Sequence, residues 1–360
     1  MHYGAEHTYG ARADDGWTYR GLKTVVVENE TLRAVVLADK GADVASLVHK
    51  PTDTEYLWRT PWGVRDPRTY VPTTGDGVGL FADCYEGGWQ TVVPGGGYPA
   101  TYRNASWGLH AEVSLVPWDV VALEPGPEEA SVTLRVRASR SPLVVTKQVA
   151  LRSGSPTLEV RESVTNVGSA PFDMVYGQHI ALGPPFLSAD CVVDLPGGTV
   201  RVHDEAYSPN HRLAPGTSAP WPKALARDGS TVDLSRIPPR GAGWDDQAYV
   251  SDLPDGWYAV TNTATGVGLA VRWPVEVFRH LWYWQVFDGG DGYPWWGQTY
   301  NVGLEPFTAS DNRGIEAAVA NGSAFRLAPG ATVDTEILAT AYRSHEGVAS
   351  VSADGAVTAR

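Results

Sequence analysis

Apolar and polar residues alternate with a period of two along most of this chain, the pattern of strands with one buried and one wet face. Residues 24–37 read as two β-branched runs around the polar turn Glu28-Asn29-Glu30, and a further apolar run ends at Val48. Residues 130–138 set Val132, Leu134 and Val136 against Thr133, Arg135 and Arg137. Segments 143–151 and 157–167 repeat the style on either side of the turn Arg152-Ser153-Gly154-Ser155-Pro156, which predicts consecutive antiparallel strands. No segment carries an amphipathic helix of three turns, and no repeat of solenoid or propeller length is present. Pro- and Gly-rich turns crowd residues 184–243, a loop-rich stretch read either as the rim or lid of a site or as a surface excursion. No Ser/Gly linker divides the chain, so one domain is expected over residues 1–360, with a core of 15–345 and a frayed tail over 346–360.

Three of these strand candidates put ionisable residues on the polar side. In 106–115 that side holds His110, Glu112 and Ser114. In 174–182 it holds His179, flanked two residues away by Gly177 and Ala181, which leaves room for a ligand beside the ring. In 298–306 it holds Glu305, two residues after Gly303 and close behind the aromatic run Tyr293-Pro294-Trp295-Trp296, rings able to desolvate a carboxylate and raise its pKa. A lone histidine in a strand is more often structural, and a lone glutamate more often exposed. Periodicity by itself leaves their function undecided.

Composition narrows the class. Thirty-nine Gly and 26 Pro disfavour helices, while 14 Trp suit both sheets and the apolar faces of sugars. An excess of 41 acidic over 28 basic side chains gives a net charge of -13, which repels nucleic acid and anionic lipid, so neither partner is expected. No stretch approaches the roughly 20 apolar residues of a membrane span, and residues 1–10 lack a signal sequence, so a cytoplasmic protein is expected. Cys84 and Cys191 are then expected to be free thiols. The sequence leaves the oligomeric state open.

The stretches 158–168 (Leu-Glu-Val-Arg-Glu-Ser-Val-Thr-Asn-Val-Gly), 176–183 (Tyr-Gly-Gln-His-Ile-Ala-Leu-Gly) and 302–306 (Val-Gly-Leu-Glu-Pro) resemble, in order and spacing, the aldose 1-epimerase superfamily. Ala42-Asp43-Val44-Ala45-Ser46-Leu47 and Glu55-Tyr56-Leu57-Trp58 support the likeness. Gly87-Gly88-Trp89-Gln90 to Pro94, His110-Ala111-Glu112 and Trp282-Tyr283-Trp284-Gln285 are similar to its bacterial aldose-epimerase-like branch. The resemblance spans residues 20–342 and implies an all-β fold, a large antiparallel β-supersandwich with an open concave sheet that binds sugar. It also implies a carbohydrate isomerase with His179 as general acid, Glu305 as general base and His110 on a sugar hydroxyl. In that chemistry His179 starts protonated and Glu305 ionised, and neither metal nor nucleotide is needed. Asp288-Gly289-Gly290-Asp291-Gly292 lacks calcium-loop spacing and reads as a turn. Other sugar epimerase or lyase chemistry, or carbohydrate binding alone, stays open on the same fold.

The pattern departs from that of galactose mutarotases. Their Asn-Arg pair is missing, with Trp89-Gln90 in the comparable stretch, and the surroundings of His179 are less aromatic, so the sugar is not specified. Candidate contacts are Trp89, Gln90, Arg279, Trp284 and Gln285, followed by Arg59; the tryptophans serve a sandwich core equally well. Arg59, Arg65 and Arg279 are available for an anionic substituent.

Overall fold

The period-two segments pair as antiparallel strands of two large sheets in the computed structural model, which describes residues 10–71 and 73–360. Residues 1–9, on which the signal-sequence reading mostly rests, lie outside the described residues. One sheet has twelve strands. Its order runs Arg12–Tyr19, Leu22–Glu28, Leu32–Leu37, Asp43–His49, Trp89–Val92, Gly177–Leu182, Tyr300–Phe307, His280–Phe287, Trp244–Ser251, Thr199–Val202 and Ser218–Pro220, with Thr54–Glu55 paired to the side. The other has eight, beginning with the four-strand meander Asp119–Pro125, Glu129–Arg137, Leu143–Arg152 and Thr157–Asn166, then Thr332–Arg343, Val267–Arg272, Trp257–Asn262 and Cys191–Asp194. The fold is an all-β antiparallel supersandwich.

Alternation decides what each sheet buries. Val25, Val27, Ala34, Ile180, Val302 and Leu304 meet Val132, Leu134, Val145, Val160 and Ile337 of the opposite sheet in one apolar core. Fully burying a Val, Leu or Ile side chain contributes roughly 1.5–3 kcal/mol, so this layer dominates the fold. One polar node crosses it. Glu162 accepts hydrogen bonds from the Tyr176 hydroxyl (2.6 Å) and Gln178 (2.7 Å), and Lys147 lies 3.6 Å away with no exposure. Tyr176 and Gln178 thus have a structural part beside residues 158–168: together with Lys147 and Thr91 they satisfy the buried Glu162 carboxylate.

One strand needs a glycine pair at its entry. Gly87 and Gly88 adopt φ +88° and +81°, and a Cβ on either would stand 2.1 Å from the Trp58 carbonyl oxygen or 2.7 Å from that of Val44. The pair lets the chain turn into Trp89–Val92 beside Asp43–His49.

Two expectations change, and a third stretch that the sequence left open takes a definite form. Residues 106–115 do not form one strand: Ala105–Trp107 ends, His110 turns at φ +50°, and a 3-10 turn covers Val113–Leu115. Residues 346–360 are not frayed. Val348–Val351 and Val357–Ala359 form a hairpin packed on Trp257, Ala259 and Ala270, and Arg360 pairs with Asp194 at 2.6 Å. The stretch 184–243 contains short strands and sends Tyr207, Ser208 and Pro209 to the wall of a cavity. Cys84 and Cys191 are buried and unpaired, and among the described residues no helix is long and apolar enough to cross a membrane.

Candidate functional site

The strands Gly177–Leu182 and Tyr300–Phe307 lie side by side, with Gly177 opposite Phe307 and Ala181 opposite Gly303. This register puts His179 across from Glu305, both on the face turned away from the core. Their side chains meet, His179 Nε2 standing 3.6 Å from Glu305 Oε1, and both residues are buried. The room expected beside His179 is taken by protein: a Cβ on Gly177 would overlap the Phe307 ring at 2.1 Å, and one on Gly303 would overlap Glu305 Oε1 at 2.2 Å. These glycines admit Phe307 and the Glu305 carboxylate, and the open space lies above them.

That space is a cavity of ≈ 380 Å³ walled by His110, His179, Glu305, Asp245, Gln247 and Trp284, among others. Its size is at the small end of the roughly 300–1,000 Å³ usual for ligand sites. The short helix Gly79–Cys84, here α1, brings Phe81 to one side, and Gly290 to Trp295 cover another. Three buried atoms of the wall have no hydrogen-bond partner among the described residues: Glu305 Oε1, Asp245 Oδ1 and Trp284 Nε1. Buried polar atoms are nearly always paired, so these three are available to hydrogen-bond a ligand or water in the cavity.

Electrostatics follow from burial. Desolvation pushes the Glu305 carboxyl well above its ordinary range and brings His179 down to about 3. His110, desolvated and beside His179, is also held well below the usual histidine value. Asp245 is raised to about 6 by desolvation, then by its neighbour Asp246. Burial thus favours the uncharged form of each group, the carboxylic acid for Glu305 and the neutral imidazole for His179. Burial alone works against the starting state expected for the cycle, His179 protonated and Glu305 ionised: removing two charges from water costs more than their mutual attraction returns without a third partner.

His110 is positioned by a turn, its ring 4.9 Å from both Phe81 and His179, and the Gly97 amide donates to Nδ1 at 3.2 Å. The neutral ring therefore carries its proton on Nε2.

The other sequence candidates divide. Trp284 lines the cavity, 5.3 Å from Trp295 and 5.9 Å from His179 between ring centres. Trp89 does not: it points into the core, donating from Nε1 to Gln178 at 2.7 Å. Gln90 shares the face of His179 but is fully buried, donating to the Gly87 carbonyl at 2.6 Å. Gln285 lies on the reverse face of its strand, where Arg212 donates to its carbonyl at 3.2 Å. Arg279 is exposed outside the cavity, and Arg59 is exposed and paired with Glu55 at 3.1 Å. Arg65 is also outside, donating to the Asp83 carbonyl at 2.8 Å. A strand's two faces alternate, so adjacent motif residues part company.

Sequence reasoning missed Asp245, Gln247, Tyr85 and Tyr207. Asp245 and Gln247 had a signal in the alternating run Asp245-Asp246-Gln247-Ala248, which pairs with the Trp282–Gln285 segment already singled out. Tyr85 and Tyr207 had none, since loops bring them in. A larger cavity of ≈ 570 Å³ covers the first four strands, but its Glu28 is ion-paired with Lys50 at 3.0 Å and with Arg12, and neither His179 nor Glu305 reaches it.

Residues 19–340 match DUF4432, a domain of unknown function. The chain belongs to this family. No curated protein matches it. Among solved structures it is similar to a candidate aldose 1-epimerase of Klebsiella pneumoniae, with TM-score 0.72 and 17% identity over 93% of this chain and 84% of that one. It is also similar to a galactose mutarotase related enzyme of Lactobacillus acidophilus, with TM-score 0.59 and 16% identity over 89% and 97%. A galactose mutarotase-like protein of Clostridium acetobutylicum gives TM-score 0.61 and 13% identity over 93% and 99%. This DUF4432 chain therefore has the galactose mutarotase-like fold.

Proposed function

We propose that this protein is an aldose 1-epimerase-like isomerase acting on a small, uncharged sugar. The observation that carries the reading is the buried His179–Glu305 pair, 3.6 Å apart, at the floor of a cavity whose unpaired polar atoms suit hydroxyl groups. Trp284 supplies an apolar ring face for the sugar's C–H surface, and Asp245, Gln247 and His110 supply acceptors and donors at the sides. None of the described lining residues is Lys or Arg, while Asp245, Asp291 and Glu305 are acidic, which disfavours phosphorylated or uronate substrates.

Sugar hydroxyls that hydrogen-bond to Glu305 Oε1 stabilise its carboxylate and move the pair's proton to His179. Glu305 then takes the proton from the anomeric hydroxyl as His179 Nε2 gives one to the ring oxygen. The C1–O5 bond breaks, its electron pair passes to O5, and the C1–O1 bond becomes a carbonyl. Rotation about C1–C2 and the reverse transfers close the other anomer, returning both residues to their starting states.

Saturation-transfer NMR of anomer exchange tests this across neutral hexoses and pentoses. Faster exchange that is lost in Glu305→Gln and His179→Asn, both still folded, is the expected result. Saturable binding with no acceleration for any sugar would overturn the isomerase reading in favour of a binding protein.

A further inference from the structure

We infer that Tyr85 is a positioning residue for His179: its hydroxyl accepts the Nδ1–H of the imidazole and leaves Nε2 as the nitrogen that exchanges the proton. The inference rests on the acid–base reading above. The Tyr85 hydroxyl lies 3.4 Å from His179 Nδ1, on the opposite side of the ring from Glu305, and the two rings stand edge to face at 5.2 Å and 79°. The bond is long, as catalytic hydrogen bonds often are before substrate binds.

Tyr85 has little freedom to leave. It follows α1 and is 1% exposed, and Phe81 of that helix stacks on it at 5.1 Å. Its carbonyl accepts a hydrogen bond from Trp62 Nε1 at 2.9 Å. The next residue, Glu86, is tied at 2.7 Å to the fully buried Lys40, which also holds Asp43. A lysine with no solvent and two carboxylates fixes this corner of the backbone, because separating any member leaves a buried charge unpaired.

The chemistry requires what Tyr85 provides. Once His179 has given its Nε2 proton to the ring oxygen, it must keep the remaining proton on Nδ1 so that Nε2 offers a lone pair for the return step. An Nδ1–H without an acceptor in this buried place costs about 1–3 kcal/mol. A phenol oxygen meets the need, and being uncharged it does not stabilise the imidazolium as a carboxylate would, so the ring remains a strong acid.

The test combines long-range 1H–15N NMR of the imidazole, assigned with His179→Asn, and steady-state anomer exchange. Wild type should show Nδ1 protonated and Nε2 bare. Tyr85→Phe keeps the ring stack and should shift the population toward the Nε2–H form, with kcat reduced about 10- to 100-fold and KM little changed. Difluorotyrosine at position 85, a weaker acceptor that retains the hydroxyl, should move the tautomer the same way to a smaller extent. A wild-type ring protonated on Nε2, or a tautomer indifferent to both replacements, overturns the proposal. The NMR signature needs no turnover: a response to Tyr85→Phe in a protein that accelerates no sugar supports the positioning role and sinks only the isomerase reading.

Discussion

His179 and Glu305 have opposite preferences for a proton because burial penalises whichever form is charged, and their contributions to stability oppose each other in pH. The folded-state pKa of His179 is depressed, so its contribution is complete above its unfolded value of 6.5 and is lost as pH falls toward about 3. Glu305, with a raised pKa, contributes fully below 4.5, and its share is lost as pH rises through its folded-state value. Replacing His179 by Asn removes the first effect. Wild type should therefore lose stability relative to His179→Asn below pH 6.5, by up to about 1.4 kcal/mol per pH unit, in urea unfolding measured from pH 7 to 4. Parallel pH profiles for the two proteins would mean that the folded ring protonates freely.

Single strands show how one element serves two ends. In Gly177–Leu182 one face gives Gln178 to the core node with Glu162 and Ile180 to the apolar layer, while the other presents His179. The period-two pattern identified that strand and its neighbour Tyr300–Phe307, but the 106–115 segment obeyed the pattern and is not a strand. There Gly108 passes so close to the Gly77 carbonyl that a Cβ would sit 2.5 Å from its oxygen, and the Leu109 amide donates to that same oxygen at 2.7 Å. A distant loop thus overrode local alternation. The C-terminal hairpin was missed for the same reason: its Val348 and Val351 find their apolar partners on Trp257, far back in the chain. Ending the chain at Ser344 should cost about 3 kcal/mol or more, because it removes two buried valines, uncovers Trp257, Ala259 and Ala270 and loses the Arg360–Asp194 pair, and should lower the melting temperature. A truncated chain that melts with the full-length protein would show that the hairpin contributes nothing.

Across the whole molecule, charge and shape act together on the choice of ligand. The chain carries a net charge of -13, and the described lining of the His179–Glu305 cavity adds three acidic residues and no Lys or Arg. Glucose 6-phosphate and glucuronate should therefore bind at least about tenfold more weakly than glucose in calorimetric titration, with the gap narrowing as salt rises. Equal affinity would place an anion site where no described lysine or arginine reaches. The amino-acid sequence by itself determined the all-β class and most strand positions, because period-two alternation is a property of neighbouring residues, while His110, His179 and Glu305 came forward as candidates only through the motifs that resemble a known family. Tertiary structure alone decided that Trp89 and Gln285 face the core while Asp245 faces the cavity, because sheet register and strand order are set by contacts across the sandwich. The aromatic run before Glu305 already pointed to a raised pKa for its carboxyl, whereas the downward shift of His179 follows from the packing around it, because desolvation depends on what the fold places about a group.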